Sequence, residues 1–208
     1  MTSRYWVKPG EMDSTFSIRP AKLADVPLIN DWARREGFAP GTGDVDIFRQ
    51  TDQQGIWTGC LGEDPIGCIA GIRYNHAYGF IGLYIVRPQQ RGHGFGMKLW
   101  QTALDHLRDV NCIGLEAAED RIDDYSSWGF QPASITTRWQ LEADSLPETF
   151  KASEIPQGLR LIHGDDIPEP KIQIYDADRE LSPRPHFLSD WLHHPAGHVT
   201  ALLDTQQN

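Results

Sequence analysis

The chain is poor in positive charge and in long apolar runs. Lys and Arg number 19 against 29 Asp and Glu among its 208 residues, so the formal net charge is −10. Because phosphate backbones are bound by clustered basic surfaces, this balance argues against a nucleic-acid-binding protein. No run approaches the roughly 18 apolar residues that a membrane-spanning helix needs. The segment Met1–Phe16 lacks the basic and then apolar regions of a signal peptide, so we expect a soluble, cytoplasmic protein without a membrane partner.

Cysteine is also scarce. The three residues Cys60, Cys68 and Cys112 are odd in number and lack Cys-x-x-Cys spacing, which indicates neither a disulfide framework nor a zinc site. We expect reduced thiols packed as small apolar residues. Cys60 and Cys68 flank a turn at 63–65 and are predicted to face each other across a hairpin. What the chain does have is a 39% hydrophobic fraction with seven Trp, enough to fill a core and to exclude wholesale disorder.

The apolar residues recur with spacings that alternate between strand and helix periods. They predict the order β-α-α-β-β-β-α-β-α-β, a mixed α/β layer fold. The predicted strands cover 16–19, 55–61, 66–74, 80–86, 112–117 and 135–141, and the predicted helices cover 23–33, 44–48, 99–107 and 120–127. The runs 80–86 and 112–117 are nearly continuous in apolar residues, which is typical of strands buried on both faces.

The composition changes after Leu141, since half of the fourteen prolines fall between Pro147 and Pro195. We therefore predict three parts, namely a first domain over 1–141, a linker over 142–157 and a C-terminal extension over 158–208. The start of this extension is similar to the start of the first domain. In both, a short predicted strand (158–162 and 16–19) is followed by Asp and Pro (165–168 and 25–27). This similarity predicts the opening of a second copy of the first domain. An extension unrelated to that domain is the alternative, and the sequence leaves both open.

A glycine-rich segment carries the strongest functional signal. The predicted strand 80–86 runs into Arg91-Gly92-His93-Gly94-Phe95-Gly96, which runs into an amphipathic helix. Glycine lets the backbone approach a ligand closely, and a helix start offers unpaired N–H groups and the positive end of the helix dipole. The segment therefore predicts a cradle for phosphate oxygens. Its spacing fits neither the Gly-Lys-Ser/Thr of a P-loop nor the Gly-x-Gly-x-x-Gly of a dinucleotide fold.

The pattern Arg91-x-x-Gly94-x-Gly96 resembles the pyrophosphate-binding motif of the GNAT acetyltransferase superfamily. About 30 residues later, Tyr125-x-x-x-Gly129-Phe130 resembles the Tyr-x-x-x-Gly-Phe signature of the same family. The likeness extends from 16 to about 141. It implies an α/β (α+β) fold with a mixed, mostly antiparallel central sheet flanked by helices, followed here by the C-terminal extension. The proline-rich tail also resembles a subgroup with a second GNAT-like half, which would be incomplete in this chain.

The resemblance implies acetyl-CoA as co-substrate and no metal. In such enzymes the strand before the loop splays from its neighbour and hydrogen-bonds the pantetheine arm through main-chain groups, a role that falls here to Tyr84, Ile85 and Val86. The main-chain N–H groups that would hold the diphosphate belong to Arg91, Gly92, His93, Gly94, Phe95 and Gly96. An acceptor amine then attacks the thioester carbonyl directly, so that no covalent enzyme intermediate is needed.

Two proton transfers accompany this reaction. Tyr125 occupies the family's general-acid position, and a phenol with a pKa near 10 is protonated at pH 7; its alternative is a packing aromatic at a helix end. Many members use a Glu on the central strand as the base, but 81–83 offers none. Glu116 is our candidate base, acting directly or through a water, and His76 and Asp124 are alternatives. All three are also compatible with purely structural or solvated roles.

The predicted acceptor is a primary amine of a small molecule, and the negative net charge favours a cationic one. Four aromatic residues are candidates either for an apolar acceptor site or for the core, namely Phe38, Trp57, Tyr74 and Trp128. Two other functions compete with the enzyme. One is a non-catalytic acyl-CoA-binding sensor or regulatory protein. The other is an assembly protein that presents 198–203 as an unpaired edge strand, which predicts a homodimer.

Overall fold

Three consecutive strands rich in small and apolar residues form the centre of a five-stranded sheet. The computed structural model describes residues 15–137, 139, 141–142, 155–180 and 182–204. The strands, in the order in which they neighbour one another, are β1 (Phe16–Pro20), β2 (Ile56–Leu61), β3 (Asp64–Arg73), β4 (Tyr78–Val86) and β5 (Cys112–Leu115). All neighbours pair antiparallel except β4 and β5, which pair parallel. The predicted mixed, mostly antiparallel sheet is therefore confirmed.

The chain divides into two compact units. The first unit comprises Met1–Leu115 and Pro168–His198, and the second unit comprises Glu116–Ile167 and Val199–Asn208. The helices of the first unit are α1 (Val26–Arg35), α2 (Asp44–Thr51), α3 (Phe95–His106), α5 (Glu169–Ala177) and α6 (Pro185–Leu192). The second unit contains α4 (Ile122–Ser127) and an antiparallel pair of strands, β6 (Leu159–His163) and β7 (Thr200–Asp204). Among the described residues no helix is both long and apolar enough to cross a bilayer.

The alternation of side chains along β3 sends successive residues to opposite faces of the sheet. Cys68, Ala70 and Ile72 pack into a cluster with the apolar stripe of α1. Gly71, on the other face, lies under α3, where an added Cβ would come within 3.1 Å of the Ala103 Cβ. Small residues on that face therefore let α3 lie close to the sheet. The helix that follows the glycine-rich segment is positioned by this contact.

The predicted burial of two strands was wrong. In β4 only Gly79, Ile81 and Ile85 are buried and the other six residues are half-buried, and in β5 Cys112 is exposed. Strand β5 lies at the edge of the sheet, so an apolar run there does not require cover on both faces. The predicted last strand, 135–141, is also not observed in the part that the structure describes. Ile135 and Trp139 are 95% and 90% exposed, while positions 138 and 140 lie outside the described residues.

Cys60 and Cys68 do not face each other as predicted. The register pairs Cys60 with Pro65 and Cys68 with Thr58, with a shift after Gly59. All three cysteines are free, as expected, but only Cys60 and Cys68 are buried. Burial raises the pKa of the Cys68 thiol far above its ordinary value, which makes that thiol unreactive.

We therefore expect a thiol reagent to modify one cysteine in the native protein and three after unfolding. Absorbance titration with an aromatic disulfide measures both numbers. The substitution Cys112→Ser removes the native reaction, while the matched substitution Cys60→Ser leaves it unchanged. Native labelling that persists in Cys112→Ser would contradict the burial of the other two thiols.

Helix α6 of the C-terminal segment packs on α2 within the first unit. The ring of Phe187 stacks on Phe48 with centroids 6.2 Å apart and meets the edge of Tyr74 at 5.1 Å. The imidazole of His194 lies 3.1 Å from the carboxylate of Asp44 at the start of α2. The segment 168–198 is thus part of the same compact unit as the sheet. The domain boundaries at 141 and 158 remain a prediction, and most of the predicted linker lies outside the described residues.

The C-terminal elements β6, α5, α6 and β7 follow one another in the same order as β1, α1, α2 and β2. Leu159 pairs with Asp204 as Phe16 pairs with Leu61, with the same separation along the chain. This order is consistent with a C-terminal extension that begins a second copy of the first domain. That interpretation stays a prediction. Strand β7 pairs with β6 on one side. In this two-stranded sheet of the described residues no further strand pairs with its other edge, so the homodimer through an edge strand at 198–203 stays a prediction.

A charged network joins the start of α1 to the sheet. Asp25 is 7% exposed and accepts hydrogen bonds from the Arg19 guanidinium at 2.6 and 3.0 Å and from the Lys22 amide at 2.7 Å. The Thr58 hydroxyl lies 3.4 Å from the same carboxylate. Because removing one partner leaves the other charge uncompensated, we expect Asp25→Ala to lower the free energy of unfolding by about 3 kcal/mol. Denaturant titration measures this.

The control is Asp31→Ala, which removes an exposed pair with Arg35 on α1 and is expected to cost about 0.5 kcal/mol or less. Hydrogen bonds, first of all from Arg19, hold the pKa of Asp25 below its ordinary value. The Asp25 carboxylate therefore contributes fully to the free energy of unfolding above about pH 4, the pKa of an aspartate in the unfolded chain. This contribution is lost as the pH falls through the lower pKa that Asp25 has in the folded protein. The difference between wild type and Asp25→Ala should therefore shrink below about pH 4. A difference that grows on acidification would contradict the assignment.

Candidate functional site

Strand β4 contains a bulge shortly before the glycine-rich segment. Its register with β3 pairs Ile85 with Cys68 but Gly82 with Ala70, so β4 has one residue more than β3 between these pairs. Leu83, within this bulge, has φ +48°, which is unusual for a side chain of this size. The buried Cys68 thiol donates a hydrogen bond to the Leu83 carbonyl at 3.3 Å. The bulge redirects the end of β4, as bulges beside functional sites often do.

Strand β4 also extends beyond its neighbour β5. The parallel ladder runs from Tyr78 opposite Cys112 to Ile81 opposite Leu115. The predicted pantetheine-binding segment 84–86 therefore begins after the last residue pair of the ladder with β5, while its antiparallel pairing with β3 continues at Ile85 and Val86. The end of β4 thus extends beyond its ladder with β5 and leads directly into the loop.

The loop is anchored by the side chain of Arg91. Its Nε donates to the Val86 carbonyl at 2.8 Å, and its Nη2 lies 2.5 Å from the Glu36 carboxylate at the end of α1. Arg87 in turn pairs with Asp64 at 2.9 Å. Both arginines beside the loop, Arg87 and Arg91, are therefore already paired with carboxylates. The attraction for an anion rests mainly on the main chain.

Gly92 and Gly94 both adopt a left-handed conformation, with φ +80° and +79°. A Cβ added at either position would meet no described atom within 4 Å, so the loop surface is open there. Gly94 is the N-cap of α3, whose first amides have no acceptor within the helix. At Gly96 an added Cβ would lie 2.6 Å from the Tyr84 hydroxyl. This third glycine lets the Tyr84 ring pack against the first turn of α3.

These features place open main-chain amides, the positive end of a 12-residue helix and the end of β4 next to one another in the first unit. An N-terminus of this kind binds anions through N–H groups and the helix dipole. The loop is suited to a diphosphate. Among the described residues no group of three or more His, Cys, Asp or Glu side chains is arranged to hold a metal ion.

Tyr125 lies on α4 in the second unit. Its ring meets Trp128 and Phe130 edge to face, and the amides of both these residues donate to its carbonyl at 3.0 and 3.1 Å. Gly129, at φ +95°, lets the chain turn back after the helix so that Phe130 packs on the tyrosine. Burial raises the pKa of Tyr125 above its ordinary value, and the phenol is therefore protonated at neutral pH.

The candidate bases are exposed. Glu116 follows β5 and belongs to the second unit, as does Asp124, which pairs with Arg121 at 3.2 Å. His76 lies in the turn between β3 and β4 in the first unit. The predicted cofactor-binding residues thus lie together in the first unit, whereas Tyr125 and Glu116 both belong to the second.

The four aromatic acceptor candidates have different environments. Trp57 is buried against His106 at the far end of α3 and belongs to the core. Tyr74 packs between Tyr78 and Phe187 of α6, and burial raises its pKa to about 12. Phe38 and Trp128 are 44% and 41% exposed. The sequence did not indicate that Phe187 covers Tyr74, because the two residues are far apart in the chain and no local pattern links them.

A family model described as the acetyltransferase (GNAT) family matches residues 26–130. The chain belongs to this family. The matched segment contains α1, the sheet from β2 to β5, the glycine-rich loop and the Tyr125 motif. The predicted membership of the GNAT superfamily is thus confirmed.

Individual relatives agree with this assignment. The holothin acyltransferase of Pseudoalteromonas sp. (strain SANK 73390) is 27% identical over 179 residues, which cover 85% of this chain and 57% of that protein. The chain therefore spans little more than half the length of this curated relative. A crystal structure of a proposed acetyltransferase from Pyrococcus horikoshii has a TM-score of 0.73 at 18% identity and covers 95% of this chain and 68% of that one. Ard1 from Thermoplasma volcanium has a TM-score of 0.50 at 22% identity, covering 57% and 84%. These two structures share the fold.

Proposed function

We propose that the protein is an N-acyltransferase that moves an acetyl group from acetyl-CoA to a primary amine of a small molecule. The observation that carries the proposal is the open turn with two left-handed glycines at the start of α3, directly after the part of β4 that extends beyond its ladder with β5. The GNAT family, to which the chain belongs, uses acyl-CoA. The similarity to a holothin acyltransferase supports acyl transfer as the reaction.

In the proposed mechanism, main-chain amides of 91–96 bind the diphosphate and main-chain groups of 84–86 bind the pantetheine arm. The amine nitrogen attacks the thioester carbonyl, forming a C–N bond as the C–S bond breaks. Glu116 takes a proton from the amine, directly or through a water. Tyr125, protonated at neutral pH, gives its proton to the departing thiolate.

A thermal-shift screen tests the donor. Acetyl-CoA, longer acyl-CoAs and NAD(P) are compared, because a ligand that binds the native state raises the apparent melting temperature. We expect a rise with CoA esters alone, largest with acetyl-CoA. A rise with NAD(P), or none with any CoA ester, would overturn the proposal.

The second test separates the enzyme from a non-catalytic sensor. Free thiol is measured after the protein and acetyl-CoA are mixed with a panel of small primary amines, cationic and neutral. The enzyme releases thiol in proportion to the amine that it accepts, whereas a sensor binds acetyl-CoA and releases none. Thiol release with at least one amine, abolished by heating the protein, is the expected result.

A further inference from the structure

Three aromatic rings are stacked beside the glycine-rich loop. Phe95 stacks on Phe16 of β1, with centroids 4.6 Å apart and planes at 25°, and His93 stacks on Phe95 at 5.8 Å and 19°. Phe16 and Phe95 are half-buried, whereas His93 is exposed. The Lys98 ammonium lies 5.5 Å from the centre of the Phe16 ring. The stack thus runs from the sheet outward and ends at an imidazole in solvent.

The imidazole of His93 is held in place. Its Nδ1 lies 3.3 Å from the Gln90 carbonyl, and Phe95 supports one of its faces. The accessible area of His93 therefore lies on its opposite face and its edges. The glycines on either side have no described atom within 4 Å of an added Cβ, so the loop surface that flanks the exposed imidazole is open.

We propose that the outer face of the His93 imidazole is a stacking platform for the adenine ring of the acyl-CoA donor. This inference rests on the proposed function, which gives the loop the diphosphate. Adenosine is joined directly to that diphosphate, so its purine leaves the loop beside His93. Bases stack on aromatic side chains through their π-faces, and the rings of Phe95 and Phe16 keep the imidazole from turning away. In this proposal the His93 side chain binds the adenine ring, in addition to the diphosphate binding that we assign to the main-chain amides of the loop.

The test compares two ligands by isothermal titration calorimetry. Coenzyme A carries the adenosine half, whereas 4′-phosphopantetheine carries the arm and one phosphate without it. We expect His93→Ala to weaken CoA binding about five- to tenfold, the lower range of base stacking on an aromatic side chain, and to leave phosphopantetheine binding within twofold. His93→Phe, which restores a π-face without the ring nitrogens, should bind CoA within about twofold of wild type.

The matched control is His193→Ala, which removes an exposed imidazole that contacts the Ser189 carbonyl at the end of α6; it should change neither affinity. Equal weakening of both ligands in His93→Ala would assign the effect to the loop backbone and overturn the stacking proposal. Unchanged CoA affinity in His93→Ala would also overturn it, with the proposed function intact. If wild type binds neither ligand, the proposed function itself fails.

Discussion

The substitution Tyr125→Phe should lower kcat at least tenfold and leave the Kd for acetyl-CoA unchanged. It removes only the hydroxyl that we assign to thiolate protonation, and general acid catalysis typically contributes about 10²- to 10⁴-fold. The phenyl ring keeps the edge-to-face contacts with Trp128 and Phe130, so the helix end should stay folded. Steady-state kinetics with an accepted amine, together with calorimetric titration of acetyl-CoA, measures the two constants separately.

The control is Tyr175→Phe, which removes the hydroxyl of a 59% exposed tyrosine on α5 and should leave kcat unchanged. If Tyr125→Phe has the kcat of wild type, Tyr125 has no part in proton transfer and the motif serves only packing. If kcat and acetyl-CoA affinity fall together, Tyr125 contributes to donor binding instead.

The substitution Gly94→Val should weaken acetyl-CoA binding at least tenfold. At φ +79° a β-branched residue is strained, and such strain is of order 1–3 kcal/mol. The backbone relieves it by turning the loop amides away from the direction in which they would hold the diphosphate. Calorimetric titration of acetyl-CoA gives the affinity, and denaturant titration gives the free energy of unfolding.

Gly158→Val is the matched control, because Gly158 has φ +88°, no described atom within 4 Å of an added Cβ, and a position at the start of β6 in the second unit. Both variants should lose similar stability, but only Gly94→Val should lose affinity. Equal affinity of the two variants for acetyl-CoA would show that the loop conformation does not matter for binding.

The sequence predicts most helices and strands of the first unit well. There the spacing of apolar residues and the positions of Gly and Pro indicate the same element boundaries. The apolar spacing along 23–33 gives α1, and the glycines before 95 give both the loop and the start of α3. The same glycines point to the proposed cofactor site, since their spacing has few structural uses. Local patterns of this kind carry their information within a few residues.

Features that depend on pairing between distant residues were not predictable. The bulge in β4 centres on Leu83, a residue with no sequence signal for a left-handed conformation, because the register with β3 imposes it. The predicted Cys60–Cys68 pairing failed for the same reason, since the β2–β3 register shifts after Gly59. The burial of a strand likewise depends on its place in the sheet, which is why β5 is less buried than its composition suggests.

Only those parts of the candidate site that lie within one short segment of the chain could be predicted from the sequence. The proposed diphosphate-binding loop lies within six consecutive residues, so its pattern can be recognised in the sequence. The contact of α6 with α2 brings together residues far apart in the chain, such as Asp44 and His194. Such arrangements follow from tertiary packing rather than from spacing.

The most direct test of the account is a crystal structure of the chain with acetyl-CoA. The diphosphate oxygens should lie within hydrogen-bonding distance of main-chain nitrogens between 92 and 96, with the pantetheine arm along 84–86. A donor whose diphosphate is held elsewhere, or by side chains instead of these amides, would contradict the central claim.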